Sequence, residues 1–504
     1  MTESKHSLLF SLLLIKALFI SLIIAYYVIG LSPDEAQYWT WSQDLAWGYY
    51  SKPPGIAWQI WLTTYFFGDT VLGIRIGGIT IAFLLALTLH HLAYVSGANS
   101  RSSFWAGIVL AFSPLGIYLS LAATTDGGSI LFLTLAVITI ARGLRKEGGP
   151  NYIHTGLWVL LGALYKWTAF VFWPFLFLFL FFYPNLRKKS LFLGIAISLL
   201  ALLPTLIWNI SHDFATFKHV YYHIGGVGDG SNFFDFLGAQ IGLISPIYFI
   251  LLVISLFYLF WKVKKSPPSL IFCGAWTLAV ALYFFLSLFK KVQPNWAAYL
   301  YPPGIAVLAW YACEKLRSGR VWLQIGTWFS IVSVLGAFAI PWIQSHNILP
   351  SAPLPYRVNP FRQSMGWDRL GPALSEAGYK SETDFLFSDK YQMASLLSFY
   401  GPEQKRAYFF NLGQSRKNQF SYWPQMATQE VGKSGYFAIS ENVEAKALSW
   451  YESHYIERLS PYFSTVEYVG AYPLFEAYDK PVKHLMLFKG VDYNGTFPED
   501  SEKW

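Results

Sequence analysis

Charge is scarce in this chain. Only 13% of its 504 residues are Asp, Glu, Lys or Arg, about half the share usual for soluble proteins, so most of the sequence is not built to face water. Cysteine is scarcer still. Cys273 and Cys313 are the only two, both inside apolar runs, so no disulfide framework holds the polar tail together. Also missing is a basic surface of the kind that binds nucleic acid. The net charge is +8, but residues 1–344 carry 21 basic against 11 acidic side chains and residues 345–504 carry 16 against 18. The basic excess sits in short loops between apolar runs, a pattern of membrane topology that excludes nucleic acid as a partner. No internal repeat is visible.

Hydrophobic sequence is what the chain has in abundance, at 54% apolar and 19% aromatic. A bilayer-spanning helix needs about 20 mostly apolar residues. Runs at about 7–30, 70–96, 103–121, 127–144, 153–165, 168–184, 190–210, 236–261, 269–289, 297–315 and 321–343 predict eleven crossings among membrane lipids, the fifth and sixth of them short. The first run follows Lys5, is too long for a signal-peptide core and lacks a small-x-small cleavage site, so it reads as a retained helix. With the N-terminus inside, the inner loops hold 14 basic residues and the outer loops of the same region only Lys52, Lys218, Lys290 and Lys291. That bias predicts a cytoplasmic N-terminus in the cell inner membrane and, with an odd number of crossings, a C-terminal tail outside.

The expected fold class is mainly α, a polytopic membrane domain over 1–344 followed by a linker over 345–360 and a periplasmic α/β domain over 361–504. The linker is the Pro-rich stretch Ser345–Pro360. Beyond it, strands are predicted at Asp384–Ser388, Arg406–Asn411, Gly435–Ser440 and Lys483–Lys489, and helices at Tyr391–Tyr400 and Glu441–Tyr451. A tail of this size is large enough to fold by itself.

Eight of the eleven acidic residues in the membrane half fall on the outer face: Asp34, Glu35, Asp44, Asp69, Asp126, Asp213, Asp229 and Asp235. Insertion does not require this, because acidic residues contribute little to topology. The first outer loop, Ser32–Gly55, holds the Asp34-Glu35 pair, an aromatic-rich stretch and Lys52 between Ser51 and Pro53. Sugar transfer from a lipid phosphate needs a base for the acceptor's proton and cations for the departing phosphate, and this loop offers both. A plainer reading is available, with Asp34 and Glu35 capping an interfacial helix and the aromatics forming a belt.

Taken together, Asp34-Glu35, Ser51-Lys-Pro-Pro-Gly55 and Thr124-Thr-Asp-Gly-Gly-Ser129 resemble the integral-membrane GT-C glycosyltransferases, in the superfamily of protein O-mannosyltransferases and lipid A aminoarabinose transferases. Tyr165-Lys-Trp167, Lys291-Val-Gln-Pro-Asn-Trp296 and Tyr391–Tyr400 are further echoes. The resemblance implies Asp34 as catalytic base, with Glu35 sharing that role or orienting the acceptor, and inversion at the anomeric carbon. It implies Lys52, Lys166 and Lys291 as contacts to the donor phosphate. Asp126, Tyr50, Asn295 and Trp296 become candidates for sugar or acceptor. The implied partners are a polyprenyl-phosphate sugar donor and an envelope acceptor (lipid A, lipopolysaccharide core or protein), with no cofactor and no metal. Lys166 stands out because an ionisable group inside about thirty apolar residues is costly unless it reaches water or a counter-charge. His219 and His223 have a spacing that can bind zinc on a helix, but it is common by chance; His90 and His91 read as structural. A lipid-linked glycan flippase is the alternative, although polar groups gathered at one face and the lack of repeats fit a transporter poorly.

Overall fold

The computed structural model describes residues 2–26, 29–145, 149–223, 230–348, 350–413, 415–441 and 448–498. Among the described residues, six helices are long and apolar enough to cross a membrane, rising to eight if two bent pairs each count as one span. They are Lys5–Tyr26, Val71–Val95, Thr125–Arg145, Ser190–Ile210, Pro268–Ser287 and Gly319–Ser345. The chain is thus a multi-pass membrane protein. Tyr152–Tyr165 and Trp167–Phe182 are apolar but shorter than a span, and Tyr301–Glu314 has 14 residues.

Both bent pairs break at a Ser-Pro step. Ser100–Phe112 and Pro114–Leu121 meet at 57°, and Phe233–Ile244 and Pro246–Trp261 at 96°. Proline has no N–H and its ring clashes with the preceding turn, so it suits the first turn of a helix and kinks or breaks one when it falls inside. At the first break the Ser113 hydroxyl caps the new helix by accepting from Gly116 N. Lys16, buried in the first helix, ties this break down by donating to Gly116 O at 3.1 Å and Ser120 Oγ at 2.9 Å. The outermost helix, Gly319–Ser345, buries few of its residues in the protein, and Trp328, Val332 and Leu335 stand exposed on it, as expected of a surface solvated by lipid.

Residues after 360 build a five-stranded sheet in the order β2-β1-β3-β5-β4. The strands are β1 (Asp384–Ser388), β2 (Tyr408–Phe409), β3 (Ser434–Glu441), β4 (Phe463–Ala477) and β5 (Lys480–Tyr493). β1 pairs parallel with both β2 and β3, while β5 runs antiparallel to β3 and β4. β1 and the helix Tyr391–Tyr400 have the bounds expected from sequence, whereas β4 was not anticipated. It is a half-buried edge strand carrying Gly470 and Pro473, and proline is tolerated only where no ladder hydrogen bond is lost. The helix predicted at Glu441–Tyr451 lies partly outside the described residues and is seen at Leu448–Leu459.

The sheet layer does not stand apart from the helices. One hydrophobic core joins Leu31, Trp39, Trp41, Ile56 and Ile60 of the first outer segment to Trp367, Leu370, Leu397 and Phe399 of the tail. Trp39 meets Phe399 edge-on at 5.0 Å, and Leu31 N donates to the Tyr400 hydroxyl at 2.6 Å. Gly30 is needed at this seam, since a Cβ there would lie 2.6 Å from the Tyr400 hydroxyl and 2.7 Å from Ser364 O.

Candidate active site

The first outer segment folds as two short helices, Pro33–Ser42 and Gly55–Phe67. Ser32, Pro33 and Glu35 dictate the first. Ser32 accepts from Glu35 N while the Glu35 carboxylate accepts from Ser32 N, a reciprocal capping box with Pro at the first turn. Trp41, near the end of the first helix, stacks on Tyr49 of the connecting loop at 4.7 Å and 7°, and the Tyr49 hydroxyl donates to Trp41 O. This pair stiffens the loop that presents Lys52, and Pro53 further restricts Lys52 to extended backbone.

Asp34 and Glu35 have opposite fates. Glu35 is 2% exposed. Its Oε1 accepts from Arg75 Nε at 2.8 Å and Ala123 N at 3.1 Å, and its Oε2 from Arg75 Nη2 at 2.9 Å, Ser32 N at 2.9 Å and Ser32 Oγ at 3.0 Å. A carboxylate has about four lone-pair sites, and here they are filled, so Glu35 has none left for a substrate proton. Burial alone would raise its pKa, but Arg75 and the backbone donors outweigh burial and hold it below the usual range. The expectation that Glu35 shares the base role is therefore corrected: it anchors the helix that carries Asp34. Arg75 completes the anchor by donating to Ile29 O and Gly30 O.

Asp34 instead faces a cavity of about 670 Å³, which Lys52, Arg75, Asp126, Lys166, Asn295 and Trp296 also line. Its carboxyl is open to solvent but ringed by protein. That enclosure raises its pKa, the adjacent Glu35 adds to the rise, and Lys52 and Arg416 draw it back. Lys52 is pushed down by burial and by its neighbour Lys166, against the pull of Asp126 and Asp34.

Asp126 opens the helix Thr125–Arg145, and Lys166 sits at the break between Tyr152–Tyr165 and the following 3-10 turn. The break places Lys166 at the hairpin's tip, where its Nζ donates to Asp126 Oδ1 at 2.7 Å. Asn295 Nδ2 donates to Asp126 Oδ2 at 2.9 Å. Gly128 lets the two helices close, because a Cβ there would meet the Tyr165 ring at 2.5 Å. Asp126 thus has both oxygens engaged, and it positions Lys166 and Asn295 on the cavity wall.

Two candidates fall elsewhere. Lys291 is exposed and does not line the cavity. Tyr50 is buried beside it, its N–H given to Gln419 Oε1 at 2.8 Å and its ring packed on His219 at 4.8 Å. Both assignments are corrected, since a side chain outside the cavity cannot hold substrate there. Sequence reasoning missed Arg75, Tyr391 and Arg416, which also line it. Arg416 comes from the tail, 250 residues after Lys166, and carries no local signal. Its Nη1 lies 3.2 Å from Nδ1 of His219, so a guanidinium occupies the neighbourhood where a zinc ion was considered. The side chain of His223, like Asp229 and Lys146, lies outside the described residues. Among the described residues, no three His, Cys, Asp or Glu side chains cluster as metal ligands.

The cavity as a whole holds four cations (Lys52, Arg75, Lys166, Arg416) against three carboxylates (Asp34, Glu35, Asp126). The formal surplus of one positive charge would balance the single negative charge of one phosphodiester.

Solved structures share this architecture. The ArnT protein of Cupriavidus metallidurans, bound to undecaprenyl phosphate, superposes with a TM-score of 0.62 at 14% identity, covering 95% of this chain and 97% of that one. The chain shares the fold of that protein. The apo form of the same protein gives 0.61. Residues 51–208 of this chain match the family model described as dolichyl-phosphate-mannose-protein mannosyltransferase, a stretch that includes Lys52, Arg75, Asp126 and Lys166. A curated relative, the lipid A galacturonosyltransferase of Rhizobium johnstonii, is 27% identical over 376 residues, 73% of this chain and 76% of its own length.

Proposed function

We propose that the chain transfers a monosaccharide from a polyprenyl-phosphate carrier to an envelope acceptor, at the extracytoplasmic face of a bacterial inner membrane. The observation that carries this reading is one cavity in which a solvent-facing carboxylate, Asp34, confronts Lys52, Lys166 and Arg416. Asp34 takes the proton of the acceptor hydroxyl as its oxygen bonds to the anomeric carbon. The bond from that carbon to the phosphate oxygen breaks, and the polyprenyl phosphate leaves with one more negative charge than it had as a diester. Lys52 and Arg416 stabilise that developing charge, together with Lys166 held in place by Asp126. Attack opposite the leaving group inverts the anomeric configuration. Trp296 offers a flat apolar face to the sugar. Support for the donor comes from the ArnT structure bound to undecaprenyl phosphate, and support for an envelope glycolipid acceptor from the relative named for lipid A.

Mass spectrometry of envelope lipids and glycoproteins from cells with and without the protein tests the reading directly. The expected result is an envelope species lacking one sugar residue when the chain is absent, restored by the wild type and not by Asp34→Asn. An unchanged envelope profile would sink it.

The fourteen-to-four basic bias, counted over the eleven predicted crossings, supports a cavity and a sheet outside the cytoplasm. A reporter active only in the periplasm, fused after Trp504, is expected to work. Activity from a cytoplasm-only reporter at the same position would reverse the topology.

A further inference from the structure

On the sheet side of Asp34 lies a second cavity of about 410 Å³, sharing Ser32, Asp34 and Gln363 with the larger one. Two cations line it, Arg362 and Lys483. Lys483 projects from β5 and is only 5% exposed. Its Nζ donates to Met365 O at 2.9 Å and Arg362 O at 3.3 Å, and it stands 3.5 Å above the centre of the Trp367 ring. An ammonium has three N–H donors, so one remains unused. A lysine this buried is almost always paired, yet neither Lys483 nor Arg362 has a carboxylate partner among the described residues. Burial pushes Lys483 down to about 7, and an anion beside it would restore its full charge.

The charges of the two cavities separate their roles. A donor diester already balances the larger cavity. The smaller one adds two basic side chains and no carboxylate beyond Asp34. A neutral acceptor would leave Lys483 buried without a counter-charge.

We infer that the smaller cavity seats the acceptor, and that Lys483 and Arg362 select acceptors bearing an anionic group, phosphate or carboxylate, near the hydroxyl that Asp34 deprotonates. The inference rests on the donor reading above.

The test uses the full chain in lipid nanodiscs saturated with polyprenyl phosphate, with glucosamine 1-phosphate, glucuronic acid and glucose as probes. Wild type is expected to bind at least one charged sugar about tenfold or more tighter than glucose, the scale of a charge-assisted hydrogen bond. Whichever charged probe binds tighter identifies phosphate or carboxylate. Arg362→Gln and Lys483→Met are each expected to remove most of that preference while polyprenyl phosphate still binds. Should Lys483→Met fail to fold, Arg362→Gln carries the test, because Arg362 is exposed and its side chain makes a single hydrogen bond, to Arg357 O. Equal binding of charged and neutral sugars by wild type overturns the inference, as does a preference that survives in Arg362→Gln. A wild-type chain that binds no polyprenyl phosphate at all sinks the donor reading instead, and is seen before any sugar is added.

Discussion

Replacing Asp34 by Asn is expected to lower turnover by about 10²–10⁴-fold, the usual contribution of a positioned general base, with donor binding nearly unchanged. The amide keeps the shape of the carboxylate but cannot accept the acceptor's proton. Asp34 faces solvent in the cavity, so the variant is expected to unfold close to the wild-type temperature. Near-normal turnover in labelled-sugar transfer assays would remove Asp34 from the mechanism. The pH profile gives an independent check. The base works only when ionised, and its pKa is raised by enclosure and lowered again by Lys52 and Arg416. Activity should therefore rise with pH through a midpoint above that of an ordinary carboxyl group. Lys52→Met removes one of the two lowering charges, so its acid limb is expected to move to higher pH while donor binding weakens about tenfold or more. An unmoved limb would contradict the coupling.

Arg75→Met is expected to destabilise the protein by about 3–5 kcal/mol, because it leaves Glu35 as a buried carboxylate without its partner. Arg75 is 2% exposed, and the substitution also strips donors from Ile29 O and Gly30 O. Glu35→Gln should be destabilising for the mirror reason, with an uncompensated guanidinium left behind. In the double variant no buried charge remains, so its loss is expected to be smaller than the sum of the two single losses. Unfolding in detergent micelles, followed by circular dichroism, measures all three. An Arg75→Met variant within about 1 kcal/mol of wild type would show that the pair is not what holds the Asp34 helix. These outcomes separate the two adjacent carboxylates: loss of Asp34 costs turnover, while loss of the Glu35 pair costs stability first.

The difference between Asp34 and Glu35 illustrates what the sequence could tell. Two adjacent acids leaving a helix could be a cap or a catalytic pair, and the choice depended on Arg75, forty residues away. Both line the cavity, but the structure divides the pair: the Glu35 oxygens are taken up by the cap and by Arg75, while Asp34 faces solvent there. Lys166 was legible because a lone lysine in apolar sequence demands a partner, and its partner is Asp126. Asn295 joined them through a motif of uncertain meaning. Lys291, in that same motif, points outside the cavity, since neighbouring residues on a turn face different directions.

By itself the sequence determined that the chain crosses a membrane several times and which loops carry the polar chemistry. These properties are local. Apolar run length and basic-residue bias each act within about twenty residues and need no partner elsewhere. Tertiary structure alone decided that the tail shares a core with the first outer segment, that Arg416 enters the cavity and that Lys483 and Arg362 stand beside Asp34. Such contacts join residues hundreds of positions apart, and their energy depends on burial and counter-charges that exist only once the layers have packed.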